Sequence, residues 1–216
     1  MSGKMDKKID KLSAIYAKIE QQVDKLQKKT CVSCIANCGE CCKRFEPYIS
    51  VLEAVPLAKY LRNNPEKHEL YKQNVKRNEV KWYACPFYDD EKHCTVYPIR
   101  PLICRLFGFS ANRDRYNKVV FSTCSKIENE MPEKVKVARA LTRTGLDVPI
   151  YQDIAQQIQE IDFYMATDYH PFSRSVQIAV DNYDSIMSGE FKTTKTSSAN
   201  NFSELLRRKI RTGDFL

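Results

Sequence analysis

Nine cysteines in a chain of 216 residues all fall between positions 31 and 124. The first stretch reads Cys31-Val-Ser-Cys34-Ile-Ala-Asn-Cys38-Gly-Glu-Cys41-Cys42. The second runs from Cys85-Pro-Phe through His93-Cys94-Thr-Val-Tyr-Pro-Ile-Arg100-Pro-Leu-Ile-Cys104-Arg105, and Cys124 closes the set. Thiols at such short spacings build either a soft-metal site or a disulfide framework. The odd count and the adjacent pair Cys41-Cys42 fit a framework poorly. Residues 1–11 are charged and lack the apolar segment of a secretory signal, which points to a reducing, cytoplasmic setting where clustered thiols bind metal. Metal chelation is therefore the favoured chemistry.

The spacing C-x3-C-x2-C over 34–41 places successive thiolates near one ion or cluster, with Gly39 supplying a tight turn. Adjacent residues project in different directions. One of Cys41 and Cys42 is expected to face the site of Cys38, and the other a second metal, another cluster edge or the core. His93 precedes Cys94 and is a minor ligand candidate. With only His68, His93 and His170 in the chain, a histidine-rich catalytic metal centre is disfavoured. Phosphate-binding glycine loops, a GxSxG elbow and an HExxH helix are all missing from the sequence.

The elements that must position these thiols are mostly helical. Met5, Ile9, Leu12, Tyr16, Ile19, Val23 and Leu26 form a heptad seam with no Gly or Pro between residues 4 and 29; this predicts a long helix ending at Thr30, used within the chain or, less favourably, for a protein partner through residues 5–26. Ser50-Val-Leu-Glu53 is a capping box, in tension with Pro56. Residues 66–82 predict a helix with Leu70, Val75 and Val80 inward. Residues 85–97 and 109–123 predict two short hairpins, the second turning at 112–114. Pro101 opens a short helix over 102–107. Pro132 to Thr144 predicts a further helix. Pro149 begins one with Ile150, Ile154, Ile158, Ile161 and Met165 on a stripe, and Ser173 or Ser175 another carrying Val176, Ala179, Val180, Tyr183, Ile186 and Met187.

The fold class expected is mainly α, with helices around a central irregular cysteine-rich core and one or two short β-hairpins. The chain divides into an amphipathic helix (1–30), a cysteine-cluster domain (31–128), C-terminal helices (129–190) and a basic flexible tail (191–216). Hydrophobic residues at 43% supply a core, and no apolar run is long enough to span a bilayer. The net charge of +8 resides at the two ends, because residues 31–191 are balanced. No aromatic residues interleave with Arg207-Arg208-Lys209-Ile-Arg211, so nucleic-acid binding is disfavoured.

The order Cys34-x3-Cys38-x2-Cys41-Cys42, Cys85-Pro-Phe, Cys94-Thr-Val-Tyr-Pro-Ile-Arg-Pro-Leu-Ile-Cys104-Arg and Cys124 resembles the YkgJ-like CxxCxxCC family, described as a zinc- or iron-chelating cysteine-cluster domain. The likeness covers about 31–125. It departs in the first gap, which is three residues, and in the extra Cys31, so that either Cys31 or Cys34 can take the first role. The resemblance implies a ligand set of Cys34, Cys38, Cys41, Cys42, Cys85, Cys94, Cys104 and Cys124. Four thiolates around Zn²⁺ or a [4Fe–4S]²⁺ cluster leave net charge −2. Arg100 and Arg105, flanking Cys104, are the cations expected to offset it; alternatively they lie at the surface or pair with Asp89, Asp90 and Glu91. Eight cysteines exceed the needs of one zinc, so the balance leans to an iron–sulfur cluster, with one or two zinc ions as the competitor. A similar cysteine cluster occurs in flagellin lysine N-methylases, which makes a protein-modifying enzyme the alternative to a metal-handling or redox metalloprotein. A partner-binding module using the N-terminal helix is the third reading.

Overall fold

The computed structural model describes residues 3–36, 38–44, 46–80 and 84–193. In chain order the helices are α1 (Lys4–Thr30), α2 (Glu40–Lys43), α3 (Val51–Asn63), α4 (Pro65–Val80), α5 (Leu102–Leu106), α6 (Ser125–Glu130), α7 (Pro132–Arg143), α8 (Tyr151–Gln159), α9 (Phe163–Thr167), α10 (Phe172–Asp181) and α11 (Tyr183–Ser188). The strands are β1 (Tyr48–Ser50), β2 (Tyr88–Asp89), β3 (His93–Cys94), β4 (Ser110–Arg113), β5 (Val119–Ser122) and β6 (Tyr169–Pro171). The mainly α class holds, and the two expected hairpins are β2–β3 and β4–β5. The third antiparallel pair, β1–β6, joins distant segments in the register Ile49↔His170. The tail over 194–216 lies outside the described residues, as do residues 81 and 82 of the helix expected over 66–82.

The chain forms two compact units, neither of them a contiguous segment. The first takes residues 3–12, 39–101 and 161–193. Its core is α3, buried at Val51, Leu52, Ala54, Val55, Leu57, Ala58 and Leu61, with α10 packed along it. Ala54, Ala58 and Ala179 are fully buried, and small side chains let helix axes approach closely. The capping box forms as read: Ser50 Oγ accepts from Glu53 N, and Glu53 Oε2 accepts from Ser50 N at 3.2 Å. Pro56 sits inside α3 without moving its start from Val51. In α4 the inward face differs from expectation. Leu70 is 47% exposed, whereas Tyr71 is buried with its hydroxyl donating to Ser173 O at 3.0 Å. Asn74 and Asn78, on the same side, donate to the Pro86 and Ala84 carbonyls.

The second unit takes residues 13–38 and 102–160. The seam residues Tyr16, Ile19, Val23 and Leu26 are buried here, as Met5 and Leu12 are in the first unit, so the seam is used within the chain. Its polar anchors are Glu20 to Arg105 at 2.7 Å and Gln22 to Asp147 at 2.7 Å in this unit, and Lys8 to Asp162 at 2.5 Å in the first. Thr30 ends α1 by returning its hydroxyl to Leu26 O, and Cys31 follows in the left-handed region at φ 55°. The β4–β5 turn comes later than expected, over residues 114–118, and opens on Asp114, whose Oδ1 accepts from Tyr116 N and Lys118 N. Arg113 binds Asp153 through two nitrogens at 3.0 and 2.7 Å, tying the hairpin to α8.

Two long stripes break where the sequence suggested continuity. Residues 150–165 become α8 and α9, because the Asp162 side chain caps a new helix by accepting from Met165 N. Residues 172–188 become α10 and α11, interrupted at Asn182. In both places a polar side chain competes for backbone groups, which apolar periodicity does not register. No helix among the described residues is long and apolar enough to cross a membrane.

Candidate metal centre

The first unit carries four thiols, Cys41 and Cys42 on α2 and Cys85 and Cys94 on the segment of the β2–β3 hairpin. The hairpin is fixed by its root. Phe87 is buried, stacked on Tyr71 with centroids 5.0 Å apart and edge-on to Phe172 at 5.9 Å. Its carbonyl accepts from both the backbone N and the hydroxyl of Thr95, each at 3.0 Å. At the tip, Asp89 Oδ1 accepts from Glu91 N and Lys92 N, and these two donors hold its carboxyl below the ordinary range. The resulting register sets Cys94 opposite Tyr88, with Cys85 at the entry.

The one-turn helix α2 is then docked onto this hairpin. Cys85 N donates to Cys42 O at 2.6 Å. Gly39, at φ 56°, lies directly under the Tyr88 ring; a Cβ there would stand 2.5 Å from the phenol oxygen. Only glycine combines that backbone with that approach. Lys43 lies 4.9 Å over the Tyr88 ring and 3.0 Å from Asp90.

The adjacent thiols do not diverge as expected: the Cys41 and Cys42 sulfurs are 3.9 Å apart. The Cys42 contact, followed by burial, pushes the Cys41 thiol up, with Arg100 opposing. For Cys42 the Cys41 contact acts downward, but the Cys85 thiol and burial outweigh it and carry it up to about 12. Burial raises Cys94, opposed by the Val96 N–H and by Arg100. Arg100 is itself stacked over Tyr97, its guanidinium carbon 3.6 Å from the ring centroid. For Cys41, Cys42 and Cys94 the surroundings therefore favour the protonated thiol. Among the described residues, no group of three or more Cys, His, Asp or Glu side chains is arranged so that it could hold a metal ion as it stands. The donor chemistry nevertheless suits a soft ion: thiol sulfurs, with the charge of Arg100 acting on Cys41 and Cys94.

The structure thus brings together Cys41, Cys42, Cys85 and Cys94 with Arg100. Cys34, Cys38, Cys104 and Cys124 belong to the second unit, as does Cys31. There Cys104 lies on α5 and Cys124 precedes α6, its carbonyl accepting from Glu128 N. Thr123 Oγ1 donates to Gly108 O, closing the exit of α5 against the residue before Cys124. All nine cysteines are free thiols. Arg105 is buried, with Glu20 at 2.7 Å and the Tyr16 ring at 4.1 Å, partners the sequence reading did not foresee. Also missed were the Tyr88–Lys43 clamp and the two asparagines of α4, although the i, i+4 spacing of Asn74 and Asn78 was visible as a signal.

Residues 33–125 match the family model "CxxCxxCC: Putative zinc- or iron-chelating domain". The class read from the order of the cysteines is therefore the class this segment matches: a cysteine-cluster domain for zinc or iron. Neither a curated protein nor a solved structure matches the chain.

Proposed function

We infer that this chain is a metalloprotein whose first unit binds a single soft metal ion, zinc or iron, through Cys41, Cys42, Cys85 and Cys94. Cys34, Cys38, Cys104 and Cys124 of the second unit are a further set of thiolate ligands, and the protein works in a reducing compartment. The observation that carries the first assignment is the 3.9 Å separation of the Cys41 and Cys42 sulfurs. Zinc–sulfur bonds of about 2.3 Å in tetrahedral geometry give a sulfur–sulfur edge of about 3.8 Å. Thiolates bound to different irons of a cluster stand farther apart, so the spacing supports one ion where the cysteine count leaned to an iron–sulfur cluster. Arg100 offsets the net negative charge of the loaded site. Binding displaces the thiol protons and draws the sulfurs together, so the free energy of binding also stabilises the fold.

The test is elemental analysis of anaerobically purified protein for zinc, iron and sulfide, with a visible spectrum. Zinc, or iron without sulfide, is expected. Iron with equimolar sulfide and brown absorbance would replace the single ion by a cluster. Neither metal, with nine freely titrating thiols, would overturn the reading.

A further inference from the structure

The same four thiols contain a pair suited to a second reaction. The backbone bond from Cys85 N to Cys42 O, 2.6 Å long, is short enough that standard bond lengths keep the two Cα atoms within about 6.5 Å of each other. Disulfides span Cα separations of about 4.4–6.8 Å. The Cys85 thiol also acts electrostatically on the Cys42 thiol across the two elements. The rival pair, Cys41 and Cys42, has its sulfurs 3.9 Å apart. Its Cα atoms, being adjacent in the chain, are fixed at about 3.8 Å, below the disulfide range, and both residues are held in α2. All three thiols are at least partly accessible to a small reagent.

We propose that Cys42 and Cys85 form a thiol–disulfide switch that regulates the metal centre, closed by a low-molecular-weight disulfide of the glutathione class. One protein sulfur attacks the small disulfide, forming a mixed disulfide and releasing one small thiol. The other protein sulfur attacks the protein side of that bond and releases the second. Two electrons pass from the protein pair to the reagent, and the two thiol protons leave on the two small thiols. With Cys42 and Cys85 joined, only Cys41 and Cys94 remain as donors in this unit, too few for a closed four-sulfur shell. The regulatory consequence rests on the metal reading above; the pairing chemistry does not.

The full-length chain, reduced and treated with a chelator, is exposed to a series of oxidised and reduced glutathione mixtures. Free thiols are alkylated and the protein is digested and mapped by mass spectrometry. Trypsin leaves Cys42 in the peptide 30–43 and Cys85 in 82–92. The linked pair of these peptides is expected as the first intramolecular link, enriched about tenfold over the same reaction in denaturant, because the fold holds the sulfurs in reach. Peptide 30–43 also holds Cys31, Cys34, Cys38 and Cys41, so the link should persist in a Cys41→Ser chain and be lost in a Cys42→Ser chain, and the two results together assign it to Cys42. Dominance of a Cys41–Cys42 link, or Cys42 and Cys85 remaining alkylatable throughout, overturns the switch. Metal content of the reduced protein is read separately. A reduced protein without metal overturns the metal reading and leaves the mapping intact. A metal-bearing protein that forms no Cys42–Cys85 link after chelation overturns the switch alone.

Discussion

Replacing Phe87 by Ala asks whether the metal donors are held by the aromatic root of their hairpin. Phe87 is 5% exposed and touches Tyr71 face to face and Phe172 edge-on. It stands between Cys85 and Cys94 in sequence, and its carbonyl takes both hydrogen bonds from Thr95. Truncating a buried phenylalanine costs about 3–5 kcal/mol, a sum that includes about 0.5–1.5 kcal/mol for each lost aromatic contact. A domain holds about 5–15 kcal/mol in all, so Phe87→Ala should stay folded, with a melting midpoint lower by about 10 °C. Part of the cost reappears in binding. If loosening the hairpin takes about 1.4 kcal/mol from the site, metal affinity falls tenfold. Urea unfolding with and without saturating metal, together with chelator competition, measures both terms. Phe163→Ala, at a position 62% exposed, is the control and should change stability by no more than about 0.5 kcal/mol. A Phe87→Ala protein as stable as the control would refute the anchoring argument. One that loses stability but keeps full metal affinity would show that the hairpin does not hold the donors.

Gly39→Ala should cost about 1–2 kcal/mol for the left-handed backbone and more for displacing Tyr88, whose phenol oxygen would lie 2.5 Å from the new Cβ; adding Tyr88→Ala should recover the second part, and strict additivity in the double-mutant cycle would rule the clash out. Cys31→Gly should raise stability by about 1 kcal/mol, because Cys31 sits at φ 55° where side chains are strained, with metal content unchanged; loss of metal would make Cys31 a ligand. Arg100→Met should weaken metal binding by about tenfold or more in chelator competition, and an unchanged affinity would remove Arg100 from the site. The Cys41, Cys42 and Cys94 thiols all stand above the ordinary value of 9.0, so they keep their protons at neutral pH and metal must displace them: affinity should rise with pH, and calorimetry in buffers of different ionisation enthalpy should show proton release. For the metal-free fold the sign is the reverse. The contribution of these raised thiols is complete below pH 9 and is lost as pH climbs toward about 12, where Cys42 titrates. Metal-free stability that increased between pH 9 and 11 would contradict the assignment.

Features set by neighbours in sequence were legible. The heptad seam gave α1 to within a residue at each end, and the Ser50–Glu53 box marked the start of α3, although Pro56 had left a later start or a kink open. Features set by side chains reaching across space were not. The β1–β6 pair joins Tyr48–Ser50 to Tyr169–Pro171, and nothing in either tripeptide names the other. Tyr71 displaced Leu70 from the inward face of α4 because the hairpin root offers an aromatic surface and the Ser173 carbonyl an acceptor, neither visible in the periodicity of residues 65–80. At the cysteine cluster the order of the cysteines could be read, but which of them the fold sets side by side could not. The adjacent cysteines were expected to diverge, since that rule of thumb describes extended chain and ignores a single helical turn pressed against a hairpin.

Two cations beside these thiols, Lys43 and Arg100, show how the fold assigns roles that sequence proximity would reverse. Lys43 follows the Cys41–Cys42 pair directly and looks like the natural counter-charge. Its ammonium is instead committed to Asp90 and the Tyr88 ring, where it clamps α2 to the hairpin. Arg100 is more than fifty residues away, yet its charge reaches Cys41 and Cys94. Pro98 and Pro101 restrict the backbone on either side of it, and its guanidinium rests on Tyr97, so it is held in place before any metal arrives. A lysine could not substitute well: its point charge on a flexible stem gains less from an aromatic face and would have to be ordered at the moment of binding. A site of four thiolates and one divalent ion keeps excess negative charge. A cation fixed in advance lowers the cost of assembling that charge, whereas a mobile one would repay part of it in lost conformational freedom.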